Sequence, residues 1–372
     1  MSKSRQSNLP ACASAPDSSA LDRLMPMDLP PLRANPMVSV LIGNYNYASY
    51  IAQTIESVLA QTYQNFEICI CDDGSTDRSV EIAGQFVSRD SRITLKVQDN
   101  RGQGSALNTA WKSARGDLIA LLDSDDLWLP SKLSKVVERF RWSPQAGMVT
   151  HAVRYVRGDL TVIRPQPDRG LDEGWLAPAF LSGLRPRMPP CSALAVRREV
   201  AERIFPLDAR YRGSADVLLR ELAALITCVA SIDDPLTLYR IHGRNLVGLR
   251  PGPMDLEAVR STLSSIEAAW EDRRRFTLQQ HNVDMSGQPW VLKLGAELRL
   301  TERLLLAQPA DELALRHLPA RWLGWFWRIA FACPRPLGSR MLQMRWTSSR
   351  WKTCLKALLR FRRQALVSHE PV

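Results

Sequence analysis

The sequence lacks any run of about 20 uncharged apolar residues, the length that a helix needs to cross a membrane. It shows no N-terminal apolar segment followed by a small-residue cleavage site, so no secretory signal peptide is indicated. Its 7 cysteines are an odd number, with no Cys-x-x-Cys pair and no regular spacing. These absences predict a cytoplasmic protein whose thiols are reduced.

Glycine-rich phosphate loops are absent as well. No Gly-x-Gly-x-x-Gly follows the first predicted strand, and no Gly-x-x-x-x-Gly-Lys-Ser/Thr occurs in the chain. Proteins of the dinucleotide-binding and P-loop classes hold phosphates with the backbone amides of such loops. A phosphate-bearing ligand of this chain would therefore need a metal ion in their place.

One segment lacks acidic residues. Between Leu313 and His369 there is no Asp or Glu, but there are 12 Lys and Arg residues. The whole chain carries a net charge of +11, so the remainder sums to 11 − 12 = −1 and is close to neutral. Any attraction to an anionic partner is therefore concentrated in the C-terminal part.

A chain of 372 residues with 45% hydrophobic content can bury a full core and is long enough for one large domain and an accessory region. Residues 1–36 are rich in Ser, Pro and Ala without a clear period, which predicts a flexible leader. We predict a large domain over residues 37–250 and a helical, basic, Trp-rich region over residues 251–372.

Within the large domain, four apolar runs that are typical of strands are each followed by an amphipathic helical pattern. The runs are 37–42, 66–71, 92–97 and 117–122. Four such units in succession predict an α/β fold, with a doubly wound, mostly parallel sheet and helices on both faces. Ligands of such sheets bind beyond the carboxyl ends of the strands, and the segments there are polar: 43–47, 72–75, 99–104 and 123–126.

The acidic tetrapeptide after the fourth run has the sequence Asp-Ser-Asp-Asp. Asp123 and Asp125 flank one residue, so at the frayed end of a strand both carboxylates can point to the same side. A Mg²⁺ or Mn²⁺ ion would offset their repulsion and take oxygen ligands from the protein and a diphosphate together. The alternative is that Asp125 or Asp126 only starts the next helix.

Four segments together carry a resemblance to a known family. They occur in one order over residues 37–245 and read VSVLIGNYNYASYIAQTIESVLAQTYQNFEICICDDGSTDRS (38–79), NRGQGSALNTAWKSARGDLIALLDSDD (100–126), RGSADVLLRELAAL (212–225) and DDPLTLYRIHGRN (233–245). The chain resembles the inverting, nucleotide-sugar-dependent glycosyltransferases of family two, which have the GT-A fold. The resemblance implies a metal-assisted transfer of a sugar from a nucleoside-diphosphate donor, expected to be a UDP-sugar. The acceptor would be a hydroxyl of a saccharide or lipid-linked molecule, as in bacterial-type polysaccharide or glycoconjugate assembly.

The resemblance also implies which residues receive the nucleotide. The nucleobase and ribose would contact Asn44, Tyr45, Asp72 and Asp73, which follow the first two strands. A carboxylate can accept from the N3–H of a uracil-like base, and an aromatic ring can stack on it. The structural alternatives are that Tyr45 and Tyr47 cover the sheet edge and that Asp73 makes an Asx-turn.

For the metal and the diphosphate, the resemblance points to two segments. Asp123 would face the ribose and share a Mn²⁺ or Mg²⁺ ion with Asp125, and Asp126 is the less defined third member. His242 would approach the metal or the diphosphate, and Arg240 would support the leaving group on the same side. A lone histidine more often has a structural role.

An inverting transfer also needs a base that takes the proton of the acceptor hydroxyl. In the family this is an Asp, commonly in a Glu-Asp pair that opens a helix, and Asp216 matches its position. Ala215 replaces the Glu, which puts any role of that Glu in doubt. Asp216 can also serve the helix dipole as an N-terminal carboxylate.

Two rival functions stay open at this point. A sugar-phosphate nucleotidyltransferase would also use paired aspartates, but it should have a glycine-rich and basic loop where this chain has GNYNYASY (43–50). A non-catalytic scaffold could bind nucleic acid through the basic, Trp-rich tail, although the intact Asp123, Asp125 and Asp216 argue against it. No nucleic acid is therefore expected as a partner, and the oligomeric state is not predicted.

The tail has a second interpretation, as a peripheral anchor on the anionic inner face of a membrane. The stretch 318–333 carries three tryptophans, and the stretch 350–366 places leucines beside a stripe of Lys and Arg. The alternative is that these tryptophans pack back on the catalytic domain while the arginines stay solvated.

Overall fold

The computed structural model describes residues 24–163, 170–181, 186–208, 215–242, 256–284, 290–316, 318, 321–332, 338 and 341. These residues belong to two compact units. The larger unit holds the described residues between 24 and 242 together with 275–284. The smaller unit holds residues 256–274 and the described residues from 290 onward.

Four parallel strands form one half of an eight-stranded sheet, in the order β3-β2-β1-β4. They are β1 (Val38–Asn44), β2 (Phe66–Asp72), β3 (Ile93–Val97) and β4 (Leu118–Leu121). The four residues of β4 are all buried, as expected for an apolar strand that is covered on both faces. Because β2 and β4 lie on opposite sides of β1, the ends of β1 and β4 flank the topological switch point of the sheet.

Helices connect these strands. They are α1 (Ile51–Leu59), α2 (Ser79–Val87) and α3 (Gln103–Trp111), and α4 (Lys132–Trp142) follows β5 (Leu127–Trp128), a two-residue strand that the sequence pattern does not predict. The buried side chains of α1 recur at the spacing of one helical face. Of these helices, α1, α2 and α4 contribute with the strands to one apolar core of the larger unit.

The other half of the sheet is mixed, in the order β4-β7-β6-β8-β5. It consists of β6 (Ala146–Arg157), β7 (Leu194–Arg197), β8 (Cys228–Ile241) and the short β5. β7 runs antiparallel to β4 and β6, whereas β6 and β8 are parallel. The helices α5 (Ala177–Leu181), α6 (Arg198–Ile204) and α7 (Ala215–Ala224) complete this part. The predicted α/β fold with a mostly parallel sheet is therefore confirmed.

The smaller unit is helical, as the sequence predicts for the C-terminal region. Its helices are α8 (Leu256–His281), whose last residues belong to the larger unit, α9 (Trp290–Leu305), α10 (Glu312–Arg316) and α11 (Arg321–Ala332). Phe326 and Trp327 of α11 are buried in one cluster with Leu300 and Leu315. No helix in the part of the chain that the structure describes is long and apolar enough to cross a membrane.

This packing concerns part of the tail stretch 318–333. Phe326, Trp327 and Ala330 are covered by protein inside their own unit, whereas Trp325 is only partly buried, and the membrane role of this stretch stays a prediction. The later basic stretch 350–366 lies outside the described residues, and its membrane role stays a prediction.

The predicted leader needs a correction for residues 24–36. Leu24 is buried, and the backbone N–H of Met27 donates to the Ile226 carbonyl at 2.8 Å. The carbonyls of Pro30 and Asn35 accept hydrogen bonds from side chains of the larger unit. These residues are therefore fixed to the sheet domain rather than flexible, because its polar side chains satisfy their backbone groups.

Candidate active site

The ends of β1 and β2 are joined through their polar side chains. Asn44 pairs in register with Asp72, and its Nδ2 donates to Asp72 Oδ2 at 2.7 Å. The backbone N–H and the hydroxyl of Ser75 also donate to the Asp72 carboxylate, at 2.8 and 2.7 Å. Asp72 is buried and thus fixes the turn after β2, whereas Tyr45, beside Asn44, is 45% exposed and open to a stacking partner.

The neighbouring Asp73 ties β2 to the loop after β3. Its Oδ1 accepts from Gln98 Nε2 at 2.6 Å and from the Arg101 N–H at 3.0 Å, and its Oδ2 accepts from the Gly102 N–H at 2.7 Å. Gly102 has a φ of 93°, a conformation that favours glycine. Asp73 therefore shapes the entrance to α3, while its contact with a nucleobase stays a prediction.

Three carboxylates follow β4 at the switch point. One ligand oxygen from each of Asp123, Asp125 and Asp126 lies within 4.8 Å of the others. Asp126 is fully buried and Asp125 is 7% exposed. Burial raises the pKa of Asp125 against the opposing effect of His242, and burial with the adjacent Asp125 charge raises the pKa of Asp126 well above its usual range. Charges with so little water are stabilised by a nearby cation.

The acidic loop is held from two sides. Thr54 Oγ1, on α1, lies 2.9 Å from the carbonyl oxygens of both Ser124 and Asp126. On the other side, the N–H of Asp123 donates to Ser192 Oγ at 3.1 Å. The loop geometry therefore depends on residues of α1 and on the 3₁₀ turn Cys191–Ala193 that precedes β7.

His242 joins this loop through one aspartate. Its Nε2 lies 2.9 Å from Asp125 Oδ2, and both side chains are almost fully covered by protein. The Tyr50 ring stacks on the imidazole, with centroids 4.8 Å apart and an interplanar angle of 22°. Tyr47 meets the same imidazole edge-on at 5.6 Å. Burial, followed by the charges of the three nearby aspartates, raises the pKa of the Tyr47 phenol.

Arg240 packs under the same aromatic residue. Its Cζ lies 4.5 Å from the centroid of the Tyr50 ring, and its Nη2 donates to Gln53 Oε1 at 2.9 Å. The backbone N–H of Arg240 donates to Asp126 Oδ1 at 2.8 Å. Because the Arg240 side chain is fully buried, its position is that of a support for Tyr50 and the acidic loop, and its predicted contact with a diphosphate remains untested.

Asp216, the predicted base, is the second residue of α7. The first residue of that helix, Ala215, is buried, and its backbone N–H donates to Gln103 Oε1 at 3.0 Å. The structure thus defines where the helix begins but gives no position for the Asp216 side chain.

The acid cluster fits a hard divalent cation. Three carboxylate oxygens within 4.8 Å of one another are the donor type that Mg²⁺ and Mn²⁺ prefer. Asp123, Asp125 and Asp126 are therefore the residues that can hold such an ion. His242 is placed against the Asp125 carboxylate, where it can orient this ligand.

The sequence pattern predicts α1 but not its role in supporting the site. Tyr50, Gln53 and Thr54 lie at or near the start of α1 with spacings of three and four residues, and each contacts the acidic loop, Arg240 or His242. The available signal was Thr54, a polar residue among the apolar positions 51, 55 and 58 of the buried helix face.

Comparisons with known proteins agree with this arrangement. The sequence profile of glycosyl transferase family 2 matches residues 39–205. An uncharacterized glycosyltransferase of Nostoc sp. is 39% identical over 212 residues, which cover 56% of this chain and 66% of that protein. Residues 39–205 therefore carry a glycosyl transferase family 2 domain, which is the domain of an enzyme.

Two further proteins are similar over different shares of their length. The UDP-Glc:alpha-D-GlcNAc-diphosphoundecaprenol beta-1,3-glucosyltransferase WfaP of Escherichia coli is 45% identical over 103 residues, 27% of this chain and 40% of that protein. The crystal structure of residues 1–349 of S. aureus TarS has a TM-score of 0.49 and 15% identity, over 83% of this chain and 90% of that one. The chain thus spans less than two thirds of the two curated relatives' own lengths.

Proposed function

We propose that the protein transfers a sugar, with inversion, from a nucleoside-diphosphate donor to the hydroxyl of an acceptor. A UDP-sugar is the proposed donor. The observation that carries the proposal is the cluster of half-buried Asp123 with buried Asp125 and Asp126 at the switch point of the sheet, with His242 on Asp125. This is the place where open α/β sheets bind their ligands.

On the donor side, Tyr45 stacks on the base, and Asn44, Asp72 and Asp73 form the surrounding turns. Their hydrogen bonds to Ser75, Gln98 and the loop after β3 keep these turns in one conformation before the donor arrives. Asp123 and Asp125 would hold a Mn²⁺ or Mg²⁺ ion, and such an ion would supply positive charge beside the diphosphate. Pre-positioned polar groups of this kind reduce the reorganisation needed during the reaction.

On the acceptor side, Asp216 accepts the proton of the attacking hydroxyl. The acceptor oxygen forms a bond with the anomeric carbon while the bond from that carbon to the diphosphate oxygen breaks on the opposite face. The electron pair of the broken bond stays with the nucleoside diphosphate. His242 and Arg240 support this leaving group from the diphosphate side of the site.

For the acceptor, we propose a saccharide or a lipid-linked saccharide. The relative from Escherichia coli carries UDP-Glc as donor and a diphosphoundecaprenol-linked sugar as acceptor in its name. The proposed product is a bacterial polysaccharide or glycoconjugate, which forms when sugars are added to such an acceptor. The basic stretch 350–366 would bring the enzyme to anionic lipid, at about 1 kcal/mol for each basic residue near the surface.

The test is transfer from a panel of nucleotide sugars in the presence of Mn²⁺ or Mg²⁺, with release of the nucleoside diphosphate as the readout. We expect release that requires the metal, an acceptor saccharide and an intact Asp216. Synthesis of a nucleotide sugar from UTP and a sugar phosphate would instead support a nucleotidyltransferase. If neither reaction occurs with any donor, the proposal is wrong.

Membrane attachment needs a separate measurement, because the site does not depend on it. Co-sedimentation with vesicles should require anionic lipid, weaken with salt and vanish when residues 342–372 are removed. This truncation leaves the buried cluster around Trp327 in place. Equal binding by the truncated protein would contradict the anchor, and tail-dependent binding to RNA in preference to vesicles would favour a nucleic-acid partner.

A further inference from the structure

One hydrogen bond connects the donor half of the domain to the helix of the predicted base. Gln103, the first residue of α3, accepts the backbone N–H of Ala215 through its Oε1 at 3.0 Å. The two residues are 112 positions apart in the chain. The N–H groups of the first helical turn have no partner within the helix, so Gln103 supplies an acceptor that α7 itself cannot provide.

The position of Gln103 is set from the nucleotide side. Gly102 precedes it with a φ of 93° and donates its N–H to Asp73 Oδ2 at 2.7 Å. A Cβ on Gly102 would be strained in this conformation. Since Asp73 lies directly after β2, the start of α3 is tied to the same turn that is proposed to receive the nucleotide.

The rest of α3 holds the segment that leads toward α7. The side chain of Asn108 accepts the Leu207 N–H at 2.7 Å and donates to the Leu207 carbonyl at 2.8 Å. The Trp111 ring stacks on Phe205, with centroids 4.9 Å apart and an interplanar angle of 12°. Thus α3 contacts both Phe205 and Leu207 and the first amide of α7.

We propose that Gln103 is a positioning residue for Asp216, which acts on the transfer step by fixing the first turn of α7. The inference rests on the proposed function, because Asp216 must be the base. Ala215 offers only a buried methyl group, so its side chain cannot hold the helix start by a polar contact. Loss of the Gln103 acceptor leaves the Ala215 amide unpaired and lets the turn that carries Asp216 shift.

The test compares two substitutions of similar size. Gln103→Leu removes the acceptor oxygen, whereas Gln103→Glu keeps it. We expect Gln103→Leu to lower kcat by about tenfold to a hundredfold, the scale of a misplacement of about 1 Å, with little change in KM or in the Kd for UDP and Mn²⁺. Gln103→Glu should stay near the wild-type rate. Gln85→Leu, on the exposed face of α2, is the matched control.

A double-mutant cycle separates positioning from a general structural effect. In the Asp216→Asn background, Gln103→Leu should cause no further loss of rate, because the group that it positions is already gone. Hydrogen exchange of the amides at 215–218 should be faster in Gln103→Leu and normal in Gln103→Glu. Both results would support a contact that acts through Asp216.

Three outcomes would overturn the inference. The first is a wild-type kcat in Gln103→Leu, the second is an equal fold loss in the wild-type and Asp216→Asn backgrounds, and the third is a fall in nucleotide affinity or Tm that accounts for the lost rate. If the wild type transfers sugar and Asp216→Asn does not, such an outcome removes only the role of Gln103. If the wild type transfers no sugar, or if Asp216→Asn transfers it at the wild-type rate, the proposed function and this inference fail together.

Discussion

The imidazole of His242 lies 2.9 Å from the carboxylate of Asp125, although 117 residues separate them in the chain. The contact joins the residue that follows β8 to the acidic loop that follows β4. The proposed metal ligand therefore already has its orientation set by a second side chain. Such outer partners are expected to matter for metal affinity as well as for catalysis.

Replacing Asp125 by Asn should remove the metal dependence of nucleotide binding. The substitution keeps the size of the side chain but removes the negative charge and one ligand oxygen. Mutation of a residue that only orients a metal ligand typically lowers metal affinity by ~10–100-fold. Because Asp125 is a proposed ligand itself, the Kd for UDP with Mn²⁺ should rise by more than this. Isothermal titration with and without Mn²⁺ checks this, with the exposed Asp233→Asn as control. An unchanged effect of Mn²⁺ on UDP affinity would refute the metal assignment.

The Tyr50 ring should matter for its shape rather than for its hydroxyl. It stacks on the His242 ring with centroids 4.8 Å apart, and the Arg240 Cζ lies 4.5 Å from the centroid of the Tyr50 ring. Since an aromatic pair contributes about 0.5–1.5 kcal/mol, Tyr50→Leu should weaken Mn²⁺-dependent UDP binding by roughly threefold to tenfold. Tyr50→Phe should bind like the wild type. The stacking role is wrong if both variants bind with the same affinity as each other.

The sequence predicts the parallel half of the fold and the position of the acid cluster, because both follow from local patterns. The run 117–122 is apolar and is followed at once by carboxylates, so the same short segment predicts both the strand and the site at its end. It does not predict that Tyr50 supports His242, or that Gln103 meets Ala215, since each contact joins segments more than 100 residues apart. The Pro-containing residues 24–36 also look unstructured by composition, but they are fixed by side chains from distant elements such as Arg197.

Asp216→Asn should separate donor binding from transfer. The amide cannot take the proton of the acceptor hydroxyl, so kcat should fall by about 10²-fold or more. The donor is proposed to bind at the ends of β1, β2 and β4, so the Kd for UDP with Mn²⁺ should stay near that of the wild type. Single-turnover transfer and titration of the same preparation provide both values. A variant that transfers sugar at the wild-type rate would place the base elsewhere.

His151 should make the stability of the larger unit depend on pH. This histidine is fully buried in β6, and its Nδ1 donates to the Ala152 carbonyl at 2.9 Å. Burial, and then the charge of the nearby Lys132, lower the pKa of His151 to about 3. The unfolded chain binds a proton near pH 6.5, whereas the folded protein does not.

The direction of the pH effect follows from this difference. The contribution of His151 is fully present above about pH 6.5 and is lost as the pH falls toward 3, by up to about 1.4 kcal/mol per pH unit. His151→Gln cannot take up the proton, so its deficit in the free energy of unfolding relative to the wild type should shrink between pH 7.5 and pH 5. Urea unfolding of both proteins across this range measures the deficit. A deficit that stays constant with pH would mean that His151 is protonated to the same extent in the folded and unfolded states.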